Sequence, residues 1–226
     1  MCICMILIFD LDDTLYPEVS YAISGFKAVA KYTYLEYGVK ENKSLDILLF
    51  SLETGRRNIA FQDLIEKLDL PKRIIPKLLS TYRKHIPQIT LEPKALKLLK
   101  TYSEYSKYLV TDGNKLVQAK KIEALELSKV MKQCFITHSY GLIASKPSIY
   151  CFEKIKKIEH AKWKDLVYIG DNPTKDFVNL TPLGVTTIRV KTGNYAHLEV
   201  SKEFDGKYTI PHIGNLEKVL DSIHGK

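Results

Sequence analysis

The chain has 226 residues, is 45% apolar and 27% charged, and carries a formal net charge of +8. This is the composition of a globular chain with a real core and not of a disordered one. Its longest apolar stretch, Cys2 to Phe9, falls far short of the ~20 residues a spanning helix needs. The basic residues are scattered over helix faces, as in Lys94, Lys97, Lys100 and Lys154, Lys156, Lys157. No clustered basic and aromatic pattern accompanies them, so neither a nucleic acid nor a membrane is an expected partner.

The first predicted element is a buried strand from Ile3 to Phe9. At its end stand Asp10-Leu11-Asp12-Asp13-Thr14. Carboxylates at i and i+2 on an extended chain project to the same side. Such a cluster against a core strand is costly unless something positive binds there. Taken alone, the segment reads equally as an acidic turn with a helix cap.

From Tyr16 to Thr90 no strand pattern appears. Ala22, Phe26, Val29, Ala30 and Thr33 recur at helical spacing, as do Leu45, Leu48, Leu49 and Leu52 and then Phe61, Leu64, Ile65 and Leu68. Pro71 opens a further stripe over Ile74, Ile75, Leu78, Leu79 and Tyr82. The segment therefore reads as a helical insert of about four elements. It has only a mild basic excess, which selects no ligand.

Beyond Leu91 helix and strand alternate. Pro93 opens a helix, and a strand Tyr108 to Thr111 breaks at Asp112-Gly113-Asn114. A helix from about Leu116 to Leu125 leads to a strand Cys134 to Thr137. Pro147 introduces a helix carrying Ile149, Phe152, Ile155 and Ile158. A strand Leu166 to Ile169 ends at Gly170-Asp171-Asn172-Pro173, followed by a short helix near Thr174 to Leu180. Strands Val185 to Val190 and Tyr208 to Ile210 follow, and Asn215 is the expected cap of a last helix through Ile223. The fold class is α/β: a Rossmann-like, mostly parallel sheet core formed by residues 1–15 and 91–226, with an all-α insert over 16–90. Ligands of such sheets bind outside the carboxyl ends of the strands. Three strand ends carry unusual polar residues, at 10–14, 111–114 and 170–176, and all should converge on one crevice.

The four cysteines, Cys2, Cys4, Cys134 and Cys151, show neither a disulfide framework nor zinc-ligand spacing and read as small buried hydrophobes. No basic n-region or cleavage site precedes the first apolar run, and a cytoplasmic location is expected.

Asp10 to Thr14, Thr111, Lys146-Pro147, and Gly170 to Pro173 with Asp176 resemble the four ordered motifs of the haloacid dehalogenase superfamily. The resemblance spans essentially the whole chain outside the insert, which has the position and length of that superfamily's helical cap. It implies phosphoryl transfer with Asp10 as nucleophile, through an aspartyl-phosphate, and Asp12 as general acid and base. It implies Mg²⁺ held by the Asp10 carboxylate, the Asp12 carbonyl and the Asp171 carboxylate, with Asp176 supporting the metal waters or holding Lys146. Thr111 and the N–H groups after it would bind phosphate together with Lys146. Asp13 stands where many relatives have Gly or Asn and reads as a turn residue. Asp112 departs from the common Thr-Asn-Gly; its carboxylate would repel phosphate unless it points away.

A dehalogenase would not need Asp12, and the Lys-Thr-Gly of the related ATPases is absent. The implied activity is hydrolysis of a small phosphate monoester, a nucleotide or sugar phosphate. A phosphomutase and a catalytically silent phosphate-binding relative stand as alternatives. Phe9 to Pro17 is also similar to the opening of pyrimidine 5′-nucleotidase-like members. Tyr16, Arg56, Arg57 and Arg83 are the candidates for substrate specificity, since Arg suits bidentate phosphate or carboxylate contacts.

Overall fold

The computed structural model describes residues 5–224. Cys2, Cys4 and the start of the first predicted strand at Ile3 lie outside them. The chain divides into two compact units: residues up to Glu18 together with those from Thr90 onward, and Val19–Ile89.

The first unit is built on six parallel strands: β1 (Ile6–Phe9), β2 (Lys107–Thr111), β3 (Gln133–Ile136), β4 (Leu166–Gly170), β5 (Thr186–Val190) and β6 (Tyr208–Ile210). Their order is β3-β2-β1-β4-β5-β6. Registers such as Ile8↔Tyr108 and Ile8↔Tyr168 put β1 between β2 and β4. The chain therefore runs outward on one side of β1, then crosses to continue on the other, which makes β1 the switch point of the sheet. Central strands covered on both faces read as continuous apolar runs, and every residue of β1, β2 and β4 is buried. One face packs Ile6, Ile8, Tyr108, Val110 and Tyr168 against Cys151, Phe152 and Ile155 of helix Tyr150–Ile158. Each such Ile or Phe contributes ~1.5–3 kcal/mol by leaving water. Cys134 and Cys151 are free thiols.

Three expectations are corrected at the edges of elements. The segment Thr174 to Leu180 is not a helix but a run of turns, because side chains compete for its backbone. Asn172 Oδ1 accepts from the Thr174 N–H and hydroxyl, and Asp176 Oδ2 accepts from the Asn172 N–H. Thr137 leaves β3 and opens a 3₁₀ turn over Thr137–Tyr140. Asn215 directly precedes the last helix, Leu216–His224, but among the described residues its side chain accepts no hydrogen bond; the cap there is His212, which accepts from the Gly214 N–H at 3.0 Å at the start of the 3₁₀ turn Ile213–Asn215.

The second unit is all helical: α1 (Glu18–Tyr37, whose first residue lies in the first unit), α2 (Glu41–Glu53), α3 (Ala60–Lys67) and α4 (Ile75–Lys84). Phe26, Val29, Leu48, Leu64, Ile65, Ile74 and Leu78 form its own core. α1 and α4 approach so closely that a Cβ at Gly25 would lie 2.4 Å from the Tyr82 ring. Among the described residues no helix is long and apolar enough to cross a membrane. The insert leaves and re-enters the first unit at one point, where the Glu92 N–H donates to the Leu15 carbonyl at 3.0 Å.

Candidate active site

Asp10 follows β1 directly, and its N–H donates to the Ile169 carbonyl of β4 at 2.8 Å. Strand pairing thus carries the chain to the sheet edge before the acidic turn begins. Thr111 ends β2, Asp171 follows β4, and Lys146 arrives from the loop before Tyr150–Ile158. All four side chains are buried, together with Asp176.

Lys146 is the hub of one charge cluster. Its Nζ donates to Asp10 Oδ1 and Asp176 Oδ1, both at 2.7 Å, and to the Tyr168 hydroxyl at 2.9 Å. The Tyr168 hydroxyl in turn donates to Asp176 Oδ1 at 3.0 Å. Burial alone would push the lysine down, but Asp10 and Asp176 outweigh it and hold it well above its ordinary value. Asp176 comes this close because β4 ends in glycine: a Cβ at Gly170 would meet Asp176 Oδ2 at 2.5 Å.

Asp10, Asp171 and Asp176 each offer one oxygen, all within 4.8 Å of one another. Burial pushes the Asp10 carboxyl up to about 6 against the pull of Lys146. Burial and then the charges of Asp10 and Asp176 push Asp171 up to about 9. Among the described residues no donor reaches the Asp171 carboxylate. A buried carboxylate beside two others, all hard oxygen donors and only one lysine among them, is the environment a divalent cation such as Mg²⁺ relieves. The residues present fit such an ion.

Asp12 belongs to a second cluster. Its Oδ1 accepts from Lys121 Nζ at 2.7 Å and from the Tyr16 hydroxyl at 2.5 Å, and its Oδ2 from Gln118 Nε2 at 2.9 Å. Burial pushes Asp12 up, yet Lys121 and these hydrogen bonds outweigh it and set its carboxyl below the ordinary value. Tyr16, a candidate for substrate specificity, is 2% exposed and donates to Asp12; burial followed by the Asp12 charge raises its phenol. Asp13 is a turn residue with φ 54°, whose Oδ1 accepts from the Glu18 N–H at 2.9 Å and whose carbonyl accepts from the Thr192 hydroxyl.

Asp112 is held by three donors. Its Oδ1 accepts from the Thr137 hydroxyl at 2.6 Å and from the Lys146 N–H at 3.1 Å, and Lys175 Nζ lies 3.0 Å from its Oδ2. Against the upward push of burial, Lys146, Lys175 and Thr137 hold its carboxyl below the ordinary value.

In the helical unit Arg56 is held by Asp63, Nη2 to Oδ1 at 2.5 Å and Nε to Oδ2 at 3.1 Å, and Ser51 adds a third donor at 2.8 Å. Arg57 donates to the Tyr82 hydroxyl at 3.0 Å. Both have partners inside their own unit. Arg83 is exposed.

Gln118, Lys121, Tyr168, Thr137 and Lys175 were not among the expected site residues. The one signal that could have found a pair of them is Gln118 and Lys121 at i and i+3 just after the turn at Asn114, polar residues where a core-facing helix stripe should be apolar.

A parallel sheet with acidic residues, a buried lysine and a strand-end hydroxyl gathered at its carboxyl edge defines a hydrolase of one known group. Residues 7–190 match the haloacid dehalogenase-like hydrolases, and the chain belongs to that family. Its sequence relatives are phosphatases. The chain is 27% identical to the glyceraldehyde 3-phosphate phosphatase of Pyrococcus furiosus, over 97% of this chain and 94% of the relative. It is 25% identical to the enzyme of that name from Methanocaldococcus jannaschii, over 96% of each. Among solved structures, a HAD-hydrolase from Bacillus subtilis bound to magnesium shares the fold with a TM-score of 0.66 at 19% identity, over 96% of this chain and 98% of that one. A HAD phosphatase from Thermococcus onnurineus shares it at 0.60 and 20% identity, over 96% and 97%.

Proposed function

We propose that the protein is a Mg²⁺-dependent phosphatase of a small sugar phosphate, working through an aspartyl-phosphate on Asp10. The observation that carries this reading is the buried pairing of Asp10 with Lys146 beside the unpartnered carboxylate of Asp171. Of the two substrate classes the motifs allow, nucleotide and sugar phosphate, the relatives named for glyceraldehyde 3-phosphate favour the second. That triose phosphate is the first compound to try.

In this reading an Asp10 oxygen attacks phosphorus in line, and the bond from phosphorus to the substrate oxygen breaks. Asp12 supplies the proton that the departing alkoxide takes, then receives one from the water that hydrolyses the aspartyl-phosphate. Thr111 and the N–H groups after it hold the phosphoryl oxygens. Lys146 neutralises Asp10 and Asp176, so the nucleophile can approach a phosphate without adding unbalanced charge. Mg²⁺, held by the Asp10 and Asp171 carboxylates and the Asp12 carbonyl, would neutralise the remaining phosphoryl charge. The helical insert acts as the substrate-selecting cap, and the enzyme works in the cytoplasm on a free metabolite.

The test is phosphate release from a panel of sugar phosphates, nucleotides and an aryl phosphate with Mg²⁺ present. Release that EDTA and Asp10→Asn both abolish supports the reading. A folded protein that releases phosphate from no ester sinks it, and transfer between two positions of one sugar without net release would make the protein a mutase.

A further inference from the structure

Helix α6 (Lys115–Ala124) begins where the Asn114 side chain accepts from the N–H groups of Leu116 and Val117. That start fixes which residues face the sheet edge. Gln118 and Lys121, three apart, share one side of the helix and are 2% and 4% exposed. A lysine and an amide so deeply buried are costly unless each has a polar task.

Their common target is Asp12. Lys121 Nζ takes Oδ1 at 2.7 Å and Gln118 Nε2 takes Oδ2 at 2.9 Å, so the two grip the carboxylate from both sides while Tyr16 donates a second bond to Oδ1. Gln118 Nε2 also lies 2.7 Å from Thr111 Oγ1 and 2.7 Å from the Asp112 carbonyl. Its Oε1 is buried without a partner. Turning the amide over would set Oε1 against the oxygens of Asp12 and Asp112, which have no proton to give, and leave only the Thr111 hydroxyl to meet it. The orientation with an unmatched acceptor is held by what the NH₂ group does. The two Nε2 hydrogens have three oxygens within reach, of which the Asp12 carboxylate and the Asp112 carbonyl can only accept, while the Thr111 hydroxyl can also donate.

Each of these groups is a donor to Asp12, an arrangement that favours the ionised carboxylate, the state in which Asp12 is left once the alkoxide has taken its proton and in which it acts as base for water. We propose that Gln118 and Lys121 are positioning residues for the hydrolysis of the phosphoenzyme, holding Asp12 as the base for water; this rests on the phosphatase reading. In that step the water oxygen bonds to phosphorus and the bond from phosphorus to the Asp10 oxygen breaks. The electron pair of that bond returns to Asp10, and the water proton goes to Asp12. Without either donor the carboxylate turns out of line and the second half-reaction slows. The first half-reaction is spared for a leaving group that departs without a proton.

The experiment compares wild type, Gln118→Met, Lys121→Met and Lys121→Arg with 4-nitrophenyl phosphate and Mg²⁺, reading kcat, KM and acid-quenched phosphoenzyme. In the two Met variants kcat and KM fall together, by about 10- to 100-fold, within the range ascribed to positioned acid–base groups. kcat/KM then stays near that of wild type, the phosphorylated fraction rises, and Lys121→Arg recovers most of kcat. A merely structural role lowers kcat and kcat/KM alike, and that result, or an unchanged kcat, overturns the proposal. If Lys121→Met does not fold, Gln118→Met carries the same comparison. A wild-type protein that turns over while the variants match it condemns this proposal alone; a wild-type protein that releases no phosphate condemns the phosphatase reading and this proposal with it.

Discussion

Lys175 Nζ lies 3.0 Å from Oδ2 of Asp112, so the carboxylate that follows Thr111 is neutralised from the loop after β4. The same carboxylate takes the Lys146 N–H and the Thr137 hydroxyl on its other oxygen. It ties β2, the turn after β3 and the Lys146 loop together. The departure from Thr-Asn-Gly thus acts as a brace with its charge matched by Lys175.

This brace predicts a graded response. Asp112→Asn keeps an acceptor for Thr137 and Lys146 and should retain most of the activity. Asp112→Ala takes the acceptor from three donors, two of them on buried residues, at ~1–3 kcal/mol for each buried group so stranded. Thermal melts should place the Ala variant well below the Asn variant, and equal melting temperatures would show that the brace contributes nothing.

Removing the cation at the centre of the first cluster should be more severe. Lys146→Met leaves Asp10 and Asp176 buried without the ammonium that both contact at 2.7 Å. Breaking a buried ion pair from one side typically costs ~3–5 kcal/mol. Urea denaturation of the metal-free variant reads this directly, and a loss below ~1 kcal/mol would contradict it on the same grounds.

Metal binding should register as stability before any turnover is measured. Titrating Mg²⁺ into wild type should raise the melting temperature progressively, since a ligand that binds only the folded state stabilises it by mass action. Asp171→Asn removes a buried carboxylate with no donor and should melt no lower than wild type without metal, while losing the Mg²⁺ response. A variant that still shifts by the full amount would remove Asp171 from the metal site.

Acid sensitivity should appear away from the site, at Glu159. Burial pushes its carboxyl up, but hydrogen bonds from Tyr108 and Lys132 prevail and hold it below its ordinary value of 4.5. A carboxylate held lower in the folded state than in the unfolded one stabilises at neutral pH, and that contribution fades as pH falls from about 4.5 through the folded value. Glu159→Gln should therefore be less stable than wild type at pH 7 and converge on it in acid. Parallel stability curves across that window would refute the assignment.

The sheet was legible because apolar runs bounded by turn residues have few other readings, and the ordered acidic motifs sit at strand ends that any parallel sheet brings together. What escaped was the role of residues whose type does not announce it. Lys121 is one lysine among many, and only the topology that lays α6 against the acidic turn makes it a partner of Asp12. Tyr168 sits in an apolar strand and reads as core until its hydroxyl is seen between Lys146 and Asp176. Arg56 carries the chemistry of phosphate recognition, yet Asp63, seven residues on, holds it by an ion pair that spacing alone does not reveal. The segment after Asn172 reads as a short helix because the hydrogen bonds of Asn172 and Asp176 that compete for its backbone are not visible in the sequence.

The hydrogen bond from the Glu92 N–H to the Leu15 carbonyl closes the polypeptide's detour at its base, as a drawstring closes a bag. The sheet registers only that the chain goes out and comes back at one point, not how long or of what kind the excursion is. Natural variation can therefore lengthen, shorten or rewrite the helical insert while Asp10, Asp12, Lys146 and Asp171 keep their places. In the proposed reading, where the insert selects the substrate, selectivity and reactivity lie on separate stretches of sequence.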